Sequence, residues 1–348
     1  MKKHLLCLVF LIASHQLRLA SSVSSAQMID AADYGLPDLE ASADATPAFR
    51  RALEACRELK ADGLQVPPGT WHLYPDYAFE ENLAVANNNP GVKRIVFLLD
   101  EMKDFSLVGN NTHFVCHGEM IPISADAATN LTLKGFSIDW ARPFHFQGRV
   151  VAIHPDQNAF DLRVHDEVIY ELRGERLIFR EKKNPTSTTW KEWAPPPTTQ
   201  LAWEHNLQWN MWFDGKTRHP IPGEHQWALE PDPRVEEVAT GVIRIFDAVR
   251  LMPKAGWVLT VKGMVNPNRT SPAIRIARST NLHIEDITIH HAGGMGIIVQ
   301  RTDGATLRNV NATLRSDSGR LVTTTADATH FNGCRGDILI QNCTFENM

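Results

Sequence analysis

The segment from Thr323 to Gly336 concentrates side chains that could carry acid–base chemistry. It contains Asp327 and His330, three positions apart, and an alternating strand from Asp337 to Phe345 follows it. A carboxyl or an imidazole within hydrogen-bond reach of a reacting group can donate or accept a proton. In a regular strand these two side chains would point to opposite faces, so a shared site requires a bend between them.

Stretches of alternating apolar and polar residues predict the framework that positions this segment. Each stretch breaks at a polar or glycine pair and then resumes, which is typical of two short strands joined by a bend. The four best copies are Asn130–Ile138, Asn281–Ile289, Ala305–Ala312 and Ile338–Phe345. Steps of 23 residues (Ile284 to Leu307) and 26 residues (Phe105 to Leu131) suit coils stacked about 4.8 Å apart. We therefore predict an all-β fold, a right-handed parallel β-helix of the pectin-lyase-like type.

The N-terminal pattern predicts a helix that covers the open end of the coil, where core and strand edges would otherwise be exposed. Residues Arg50–Ala61 have the periodicity of an amphipathic helix. Its apolar stripe consists of Phe49, Leu53, Cys56 and Leu59. Asp44 or Thr46 can cap this helix, Pro47 suits its first turn, and a strand begins at Leu64.

The coil pattern disappears between Trp140 and about Val265, which predicts an insertion. Four alternating segments lie there: Phe146–Ile153, Ala159–Val164, Gly241–Phe246 and Gly256–Val261. We predict an inserted antiparallel β-barrel or sandwich over 141–265, between the cap and first coils (27–140) and the continued helix (266–348). The insertion is rich in tryptophan: Trp190, Trp193, Trp203, Trp209, Trp212 and Trp227. Most of these predict a core, and the alternative is a sugar-stacking surface.

The first 26 residues predict export. Lys2 and Lys3 precede a short apolar run, and Ser24–Ala26 offers small residues for cleavage before Gln27. The expected location is secreted or periplasmic, with no membrane association after cleavage. A net charge of −5 disfavours nucleic acid as a partner.

Four cysteines remain after the predicted cleavage, and their spacing lacks the C-x-x-C pair of a zinc site. They are Cys56, Cys116, Cys334 and Cys343. Export permits disulfides, and three pairings or free buried thiols are equally compatible with the sequence.

The sequence around Asp327 also resembles the catalytic region of glycoside hydrolase family 110. That region carries an Asp-Ala-Thr-His-Phe motif, found here at Asp327–Phe331, and a Phe-Glu-Asn-Met segment, found at Phe345–Met348. Ile138–Phe144, Asn266–Pro272 and His290–Ile297 look like the same family, so the resemblance covers most of the mature chain. It implies an inverting exo-glycosidase that removes terminal α-1,3-linked galactose, with galactose-terminated glycans as partners and no metal or organic cofactor.

The resemblance implies Asp327 as a catalytic carboxyl, and a set of substrate-binding candidates. These candidates are His330, Asp317, Arg269, His291 and Trp140. A turn, salt-link or packing role is an equally open interpretation for each of the five.

Inverting glycosidases use two carboxyl groups roughly 6.5 to 9.5 Å apart. In the family, a Leu-Asp-Asp-Ala stretch follows the Phe-Glu-Asn-Met segment and supplies further essential carboxylates. The sequence given stops at Met348, so we expect it to be a C-terminally truncated fragment.

Two other functions remain open from the sequence. A pectinolytic β-helix enzyme would need a calcium-binding carboxylate cluster or paired aspartates on consecutive coils, and the chain has no Asp-Asp pair. A non-catalytic glycan-binding β-helix would bind sugars without turnover. The sequence carries no signal for oligomeric state.

Overall fold

The computed structural model describes residues 27–39, 42–180, 204–207, 209–225, 229, 233–247, 252–262 and 269–347. The predicted signal peptide and Trp190, Trp193, Trp203 and Trp227 lie outside these residues. The part before the predicted insertion has one long helix and eight strands. They are β1 (Met28–Asp30), α1 (Thr46–Leu59), β2 (Gly63–Val66), β3 (Gly69–Leu73), β4 (Phe79–Leu83), β5 (Gly91–Leu98), β6 (Ser106–Cys116), β7 (Ile121–Asp126) and β8 (Thr129–Trp140).

The remaining strands fall into two groups along the chain. The first group comprises β9 (Phe146–His154), β10 (Ala159–Val164), β11 (Tyr170–Arg173), β12 (Arg176–Arg180), β13 (Glu204–His205), β14 (Asn210–Phe213), β15 (Pro220–His225), β16 (Arg234–Ala239), β17 (Val242–Phe246) and β18 (Val258–Val261). The second comprises β19 (Ile274–Ala277), β20 (Thr280–Ile289), β21 (Ile297–Gln300), β22 (Asp303–Ala312), β23 (Thr329–Asn332), β24 (Arg335–Gln341) and β25 (Thr344–Phe345). Three short 3-10 helices, Ala31–Tyr34, Pro75–Tyr77 and Pro155–Gln157, complete the described elements.

Two largely parallel sheets form the coil. One has the order β1-β2-β6-β8-β20-β22-β24, with β3 also paired to β6 and β25 to β22, and we call it the long-strand sheet. The other has the order β23-β21-β19-β7-β5-β4, in which only β4 is antiparallel, and we call it the short-strand sheet. From β5 to β24 the chain alternates between these two sheets, except over strands β9–β18. We call the part of the chain that holds β9–β18 the excursion. This arrangement confirms the prediction of a mainly β fold with large parallel sheets.

The predicted register is confirmed residue by residue. Ile284 pairs with Leu307, and Leu307 pairs with Ile340 on the next coil. Strands β8 and β20 are direct neighbours, with Leu131 opposite Leu282, although the excursion separates them in sequence. The alternation of apolar residues toward one face is therefore enough to specify the stacking.

The predicted break in each coil is a residue in the left-handed region. Gly135, Asp286, Asn309 and Asn342 occupy it on four coils, with φ between 53° and 79°. Asn309 Nδ2 donates to Asp286 Oδ1 at 2.9 Å, so polar side chains at the bend contact those of the adjacent coil. Asparagine, aspartate and glycine tolerate this conformation best, which explains why these types recur in the sequence.

Gly135 is required for a second reason, because a Cβ built there would lie 2.4 Å from the Gly109 carbonyl oxygen. We expect Gly135→Ala to lower the free energy of unfolding by about 2–4 kcal/mol, from backbone strain plus this clash. Gly304→Ala is the matched control, since Gly304 has φ +75° but its nearest contact is 3.9 Å away. It should cost only about 1 kcal/mol. Urea denaturation measures both, and equal losses would contradict the close-approach argument.

Helix α1 covers the end of the coil as predicted, but its bounds and stripe differ. It spans Thr46–Leu59 and buries Phe49, Leu53 and Cys56, and Phe49 packs edge-on against Phe114. Leu59, predicted on the same stripe, is 53% exposed. The helix ends there because Lys60 turns into the left-handed region, and Leu59 lies at this exposed end.

Every strand described in the excursion after β8 pairs antiparallel with its neighbours. A seven-stranded sheet has the order β15-β14-β18-β9-β10-β17-β16, and a separate three-stranded sheet has the order β11-β12-β13. We call the first the antiparallel sheet. Of the tryptophans described there, Trp212 is fully buried and packs against Phe160, which agrees with a core role.

The sequence left the pairing of four cysteines open. Cys56, Cys116, Cys334 and Cys343 are free thiols, so none of the three possible disulfide pairings is formed. Within the described residues, no helix combines the length and hydrophobicity needed to cross a bilayer.

Candidate functional site

Asp327 lies at the end of the long loop between β22 and β23, two residues before β23 begins. Its side chain is 56% exposed, and its carboxylate Oδ2 lies 3.3 Å from His330 Nδ1. The two side chains therefore share one surface, which answers the question that the sequence left open. A bend makes this possible, because Asp327 precedes the strand and the strict alternation of directions does not apply to it.

The loop between β20 and β21, residues 290–296, runs beside Asp327 and fixes its backbone by hydrogen bonds. Ala326 N–H donates to the Gly294 carbonyl at 3.0 Å, and Gly296 N–H donates to the Asp327 carbonyl at 3.0 Å. At Gly296 a Cβ would lie 2.6 Å from the Ala328 carbonyl oxygen. The glycine-rich sequence from His290 to Ile297 therefore serves a close approach between two loops.

Two basic side chains lie in the electrostatic surroundings of Asp327. Burial, and to a lesser extent the nearby Arg269 cation, lowers the pKa of Lys262 to about 8, and the Asp327 carboxylate opposes both effects. Arg269, predicted to bind substrate, donates from Nη1 to the Asn87 carbonyl at 3.2 Å. Its buried Nε has no hydrogen-bond partner among the described residues. Asp327, His330, Arg269 and Lys262 thus border one region.

An asparagine-rich segment, residues 84–90, borders the same region and was not predicted. Asn89 Oδ1 accepts a hydrogen bond from Arg269 N–H at 3.0 Å, and Asn88 Oδ1 lies against Gly294. Val85 packs against Met295, Ile298 and Ala326. The three consecutive asparagines were visible in the sequence, but their contact with Arg269 spans about 180 residues and no local pattern indicates it.

His291 and Trp140, also predicted to bind substrate, are buried beneath the loops. They are 0% and 1% exposed, so neither presents a surface to a ligand in this structure. His291 Nε2 accepts from Phe144 N–H at 2.9 Å, and Trp140 Nε1 donates to the Gly118 carbonyl at 3.0 Å. Burial holds the pKa of His291 well below its usual value, and the Arg320 cation adds to this effect.

Asp317 lies on the same long loop as Asp327, and its side chain is 75% exposed. It accepts a hydrogen bond from Arg315 Nε at 2.6 Å, which is the main cause that lowers its pKa. Among the described residues no contact joins Asp317 to Asp327. The structure therefore brings together Asp327, His330 and Arg269, and it places Asp317, His291 and Trp140 elsewhere.

A second carboxyl with unusual surroundings, Glu119, lies in the loop between β6 and β7. Burial raises its pKa to about 7, against the effects of a hydrogen bond with Thr270 and the Lys93 cation. Lys93 Nζ donates to the Thr270 carbonyl at 3.1 Å, and Thr270 follows Arg269 in the chain. A carboxyl that stays protonated near neutral pH is a group that can donate a proton. Nothing in the sequence distinguished Glu119.

Glu119 makes a testable contribution to the pH dependence of stability. Its folded pKa of about 7 lies above the unfolded value of about 4.3. The folded state then binds more protons between these values, so its stability falls as the pH rises from about 4.5 to 7. Glu119→Gln should remove this loss, so we expect the variant to gain about 1–3 kcal/mol over the wild type across that window. Urea titrations at several pH values measure the difference, and parallel profiles would contradict it.

The described residues contain no group of three or more His, Cys, Asp or Glu side chains that could hold a metal ion. The carboxyl, imidazole and cationic groups around Asp327 can exchange protons and hydrogen-bond to hydroxyl groups. This combination suits acid–base chemistry on a polar substrate.

Sequence comparison identifies relatives over almost the whole chain, although no protein-family model matches it. The α-1,3-galactosidase A of Shewanella woodyi is 31% identical over 330 residues, covering 94% of this chain and 50% of the relative. The α-1,3-galactosidases B of Phocaeicola vulgatus and Parabacteroides distasonis are 28% and 29% identical, covering 97% and 94% of this chain. They are covered over 54% and 51% of their own length, so the chain spans about half of the curated relatives it matches.

Similarity to solved structures is weak. The tailspike protein gp49 of Pseudomonas phage LKA1 aligns over 90% of this chain and 46% of its own, with a TM-score of 0.30 and 11% identity. A candidate glycosyl hydrolase of Parabacteroides merdae aligns over 92% and 96%, with a TM-score of 0.39 and 11% identity. TM-scores this low do not indicate a shared function. Over the region that they share, the chain is similar in sequence to curated α-1,3-galactosidases.

Proposed function

We propose that the protein is an exo-acting glycoside hydrolase that removes terminal α-1,3-linked galactose from glycans with inversion. The observation that carries this proposal is the similarity to curated α-1,3-galactosidases over 94% of the chain. In the structure, the side chains of Asp327 and His330 lie in contact. Cleavage adds water across the glycosidic bond. One carboxyl protonates the leaving oxygen, and a second removes a proton from the attacking water.

Asp327 supplies one of these carboxyls. Adjacent coils are spaced about 4.8 Å apart, so a carboxyl on the coil next to β23, offset sideways by about a residue, would reach the 6.5 to 9.5 Å separation of inverting enzymes. His330 and Arg269 are placed to bind sugar hydroxyls, since both border Asp327 and offer nitrogen donors.

The decisive assay uses the protein expressed from its complete gene. We expect galactose release from an α-1,3-galactoside, and proton NMR of the first product should show the β-anomer. Release of the α-anomer would contradict inversion. Cleavage of polygalacturonate instead would favour a pectinolytic enzyme, and glycan binding without turnover would favour a binding protein. The same assay on residues 1–348 asks whether this chain holds every essential carboxyl.

We also propose the domain division and location that the sequence predicts. An inserted β-barrel or sandwich over 141–265 is supported by the antiparallel pairing of every strand from β9 to β18. It lies between the cap and first coils (27–140) and the continued helix (266–348). Export to a secreted or periplasmic location rests on residues 1–26, and N-terminal sequencing of the protein from its natural host tests it.

A further inference from the structure

The loop that ends at Asp327 is held at its other end by the antiparallel sheet. Residues 313–328 connect β22 to β23, and their middle part contacts side chains of that sheet. Gln147, near the start of β9, bridges two backbone groups of the loop. Its Oε1 accepts from Leu321 N–H at 2.9 Å, and its Nε2 donates to the Gly319 carbonyl at 3.0 Å.

Two more side chains of the excursion bind the backbone of the same four residues, 318–321. His165, which follows β10, lies with Nε2 3.0 Å from the Ser318 carbonyl. Arg218, between β14 and β15, donates from Nη2 to the Arg320 carbonyl at 2.6 Å. Leu321 packs against Phe213 and Val258 of the antiparallel sheet. Side chains from three separate parts of the excursion therefore bind one short stretch of the loop.

The side chain of Arg320 fastens this stretch to the coil as well. Its guanidinium is 2% exposed, and all three of its nitrogens have partners. Nη1 donates to Asp139 Oδ1 at 2.9 Å, and Nη2 donates to the Trp140 carbonyl at 2.8 Å. Nε donates to Glu167, which belongs to the excursion. Arg320 thus joins the end of β8, the excursion and the loop at one buried point.

Beyond this point the loop pairs with residues 290–296 up to Asp327. Ala292 N–H donates to the Thr323 carbonyl at 3.0 Å, and Thr325 N–H donates back to the Ala292 carbonyl at 3.1 Å. The short chain between Leu321 and Asp327 is therefore held at both ends, with little freedom to shift. A displacement of about 1 Å in a catalytic group can reduce a rate by about 10²-fold.

We propose that the antiparallel sheet positions Asp327 for catalysis, with Gln147 and Arg320 as positioning residues that act through the loop. The proposal rests on the proposed function, because it assigns a role in that reaction. The excursion then has a function other than the binding of glycans by its tryptophan side chains. Loss of the Gln147 bridge would leave Leu321 N–H and the Gly319 carbonyl without partners, and the loop would relax away from the sheet.

The test compares three variants of the protein expressed from its complete gene. Gln147→Met removes both hydrogen bonds while keeping the length of the side chain. Gln147→Glu keeps the acceptor for Leu321 N–H and loses the donor to Gly319. Arg149→Met is the matched control, because Arg149 lies two residues along β9 and binds the Gly256 carbonyl, outside the loop.

Hydrogen exchange provides a measurement that is independent of activity. In Gln147→Met we expect amides of residues 318–327 to exchange at least about 10-fold faster, with the strands of the coil unchanged. For galactose release we expect kcat to fall about 10-fold or more while KM stays within about threefold. Gln147→Glu should fall between this variant and the wild type, and Arg149→Met should match the wild type in both measurements.

Each outcome decides the proposal. Faster exchange without loss of kcat would overturn it, since the loop would then be held for structural reasons only. Unchanged exchange would also overturn it, because the loop would not depend on the bridge. A wild-type protein that releases no galactose would refute the proposed function and, with it, the catalytic role of the loop. The exchange data would still show whether the sheet fixes the backbone before Asp327.

Discussion

Replacing Asp327 with asparagine is expected to reduce kcat for α-1,3-galactoside hydrolysis by about 10²–10⁴-fold, with little change in KM. Asparagine has the shape of aspartate and can still hydrogen-bond to His330. It can neither lose nor supply a proton at neutral pH, so only the chemical step should suffer. Galactose release under saturating substrate, with the folded state checked by thermal unfolding, measures the effect.

Asp337→Asn is the matched control for this substitution. Asp337 is an exposed aspartate ten residues further on, in β24 of the long-strand sheet, on a different part of the coil. It should retain wild-type kcat. An Asp327→Asn variant with more than about a tenth of wild-type kcat would contradict the assignment of Asp327 as a catalytic carboxyl.

The coil was predictable because its determinants are local. The alternation around Ile284 and Leu307 places one face in the core, and a slip of one residue would expose both. The bends follow from residue types that tolerate positive φ, such as Asn309. Helix α1 was predictable for the same reason, but the exposure of Leu59 was not, since it depends on where the core ends.

The surroundings of Asp327 were predictable only in part. A motif identified Asp327 and His330 because both lie within one short segment. The asparagines at 87–89 and the bridge from Gln147 reach the site across about 170 to 180 residues, through irregular loops that have no periodic pattern. Burial also separates the candidate site residues into interior and surface positions. His291 and Trp140 are interior, and no sequence signal distinguishes a buried histidine that accepts from a backbone N–H from one that meets substrate.

Asp139→Asn is expected to lower the free energy of unfolding by about 3–5 kcal/mol, which makes it the largest expected loss of stability. Asp139 is 4% exposed and accepts hydrogen bonds from both Arg315 and Arg320. Asparagine keeps one oxygen acceptor but no charge, so the buried Arg320 guanidinium would keep only Glu167 as an anionic partner. A buried cation that loses one of its two anionic partners is costly because its hydration has been lost and cannot be regained. Urea denaturation at pH 7 gives the difference.

Asp161→Asn separates this effect from the ordinary loss of an ion pair. Asp161 is also nearly buried, at 7% exposure, and it binds Arg244 and His154. The side chains of these partners are 23% and 28% exposed, so water can solvate them once the carboxylate is gone. We therefore expect a loss of only about 1–2 kcal/mol. Equal losses in the two variants would mean that water reaches Arg320 as easily as Arg244. The junction of β8, the antiparallel sheet and the loop before Asp327 would then be open to solvent, and Arg320 could not act as a rigid anchor.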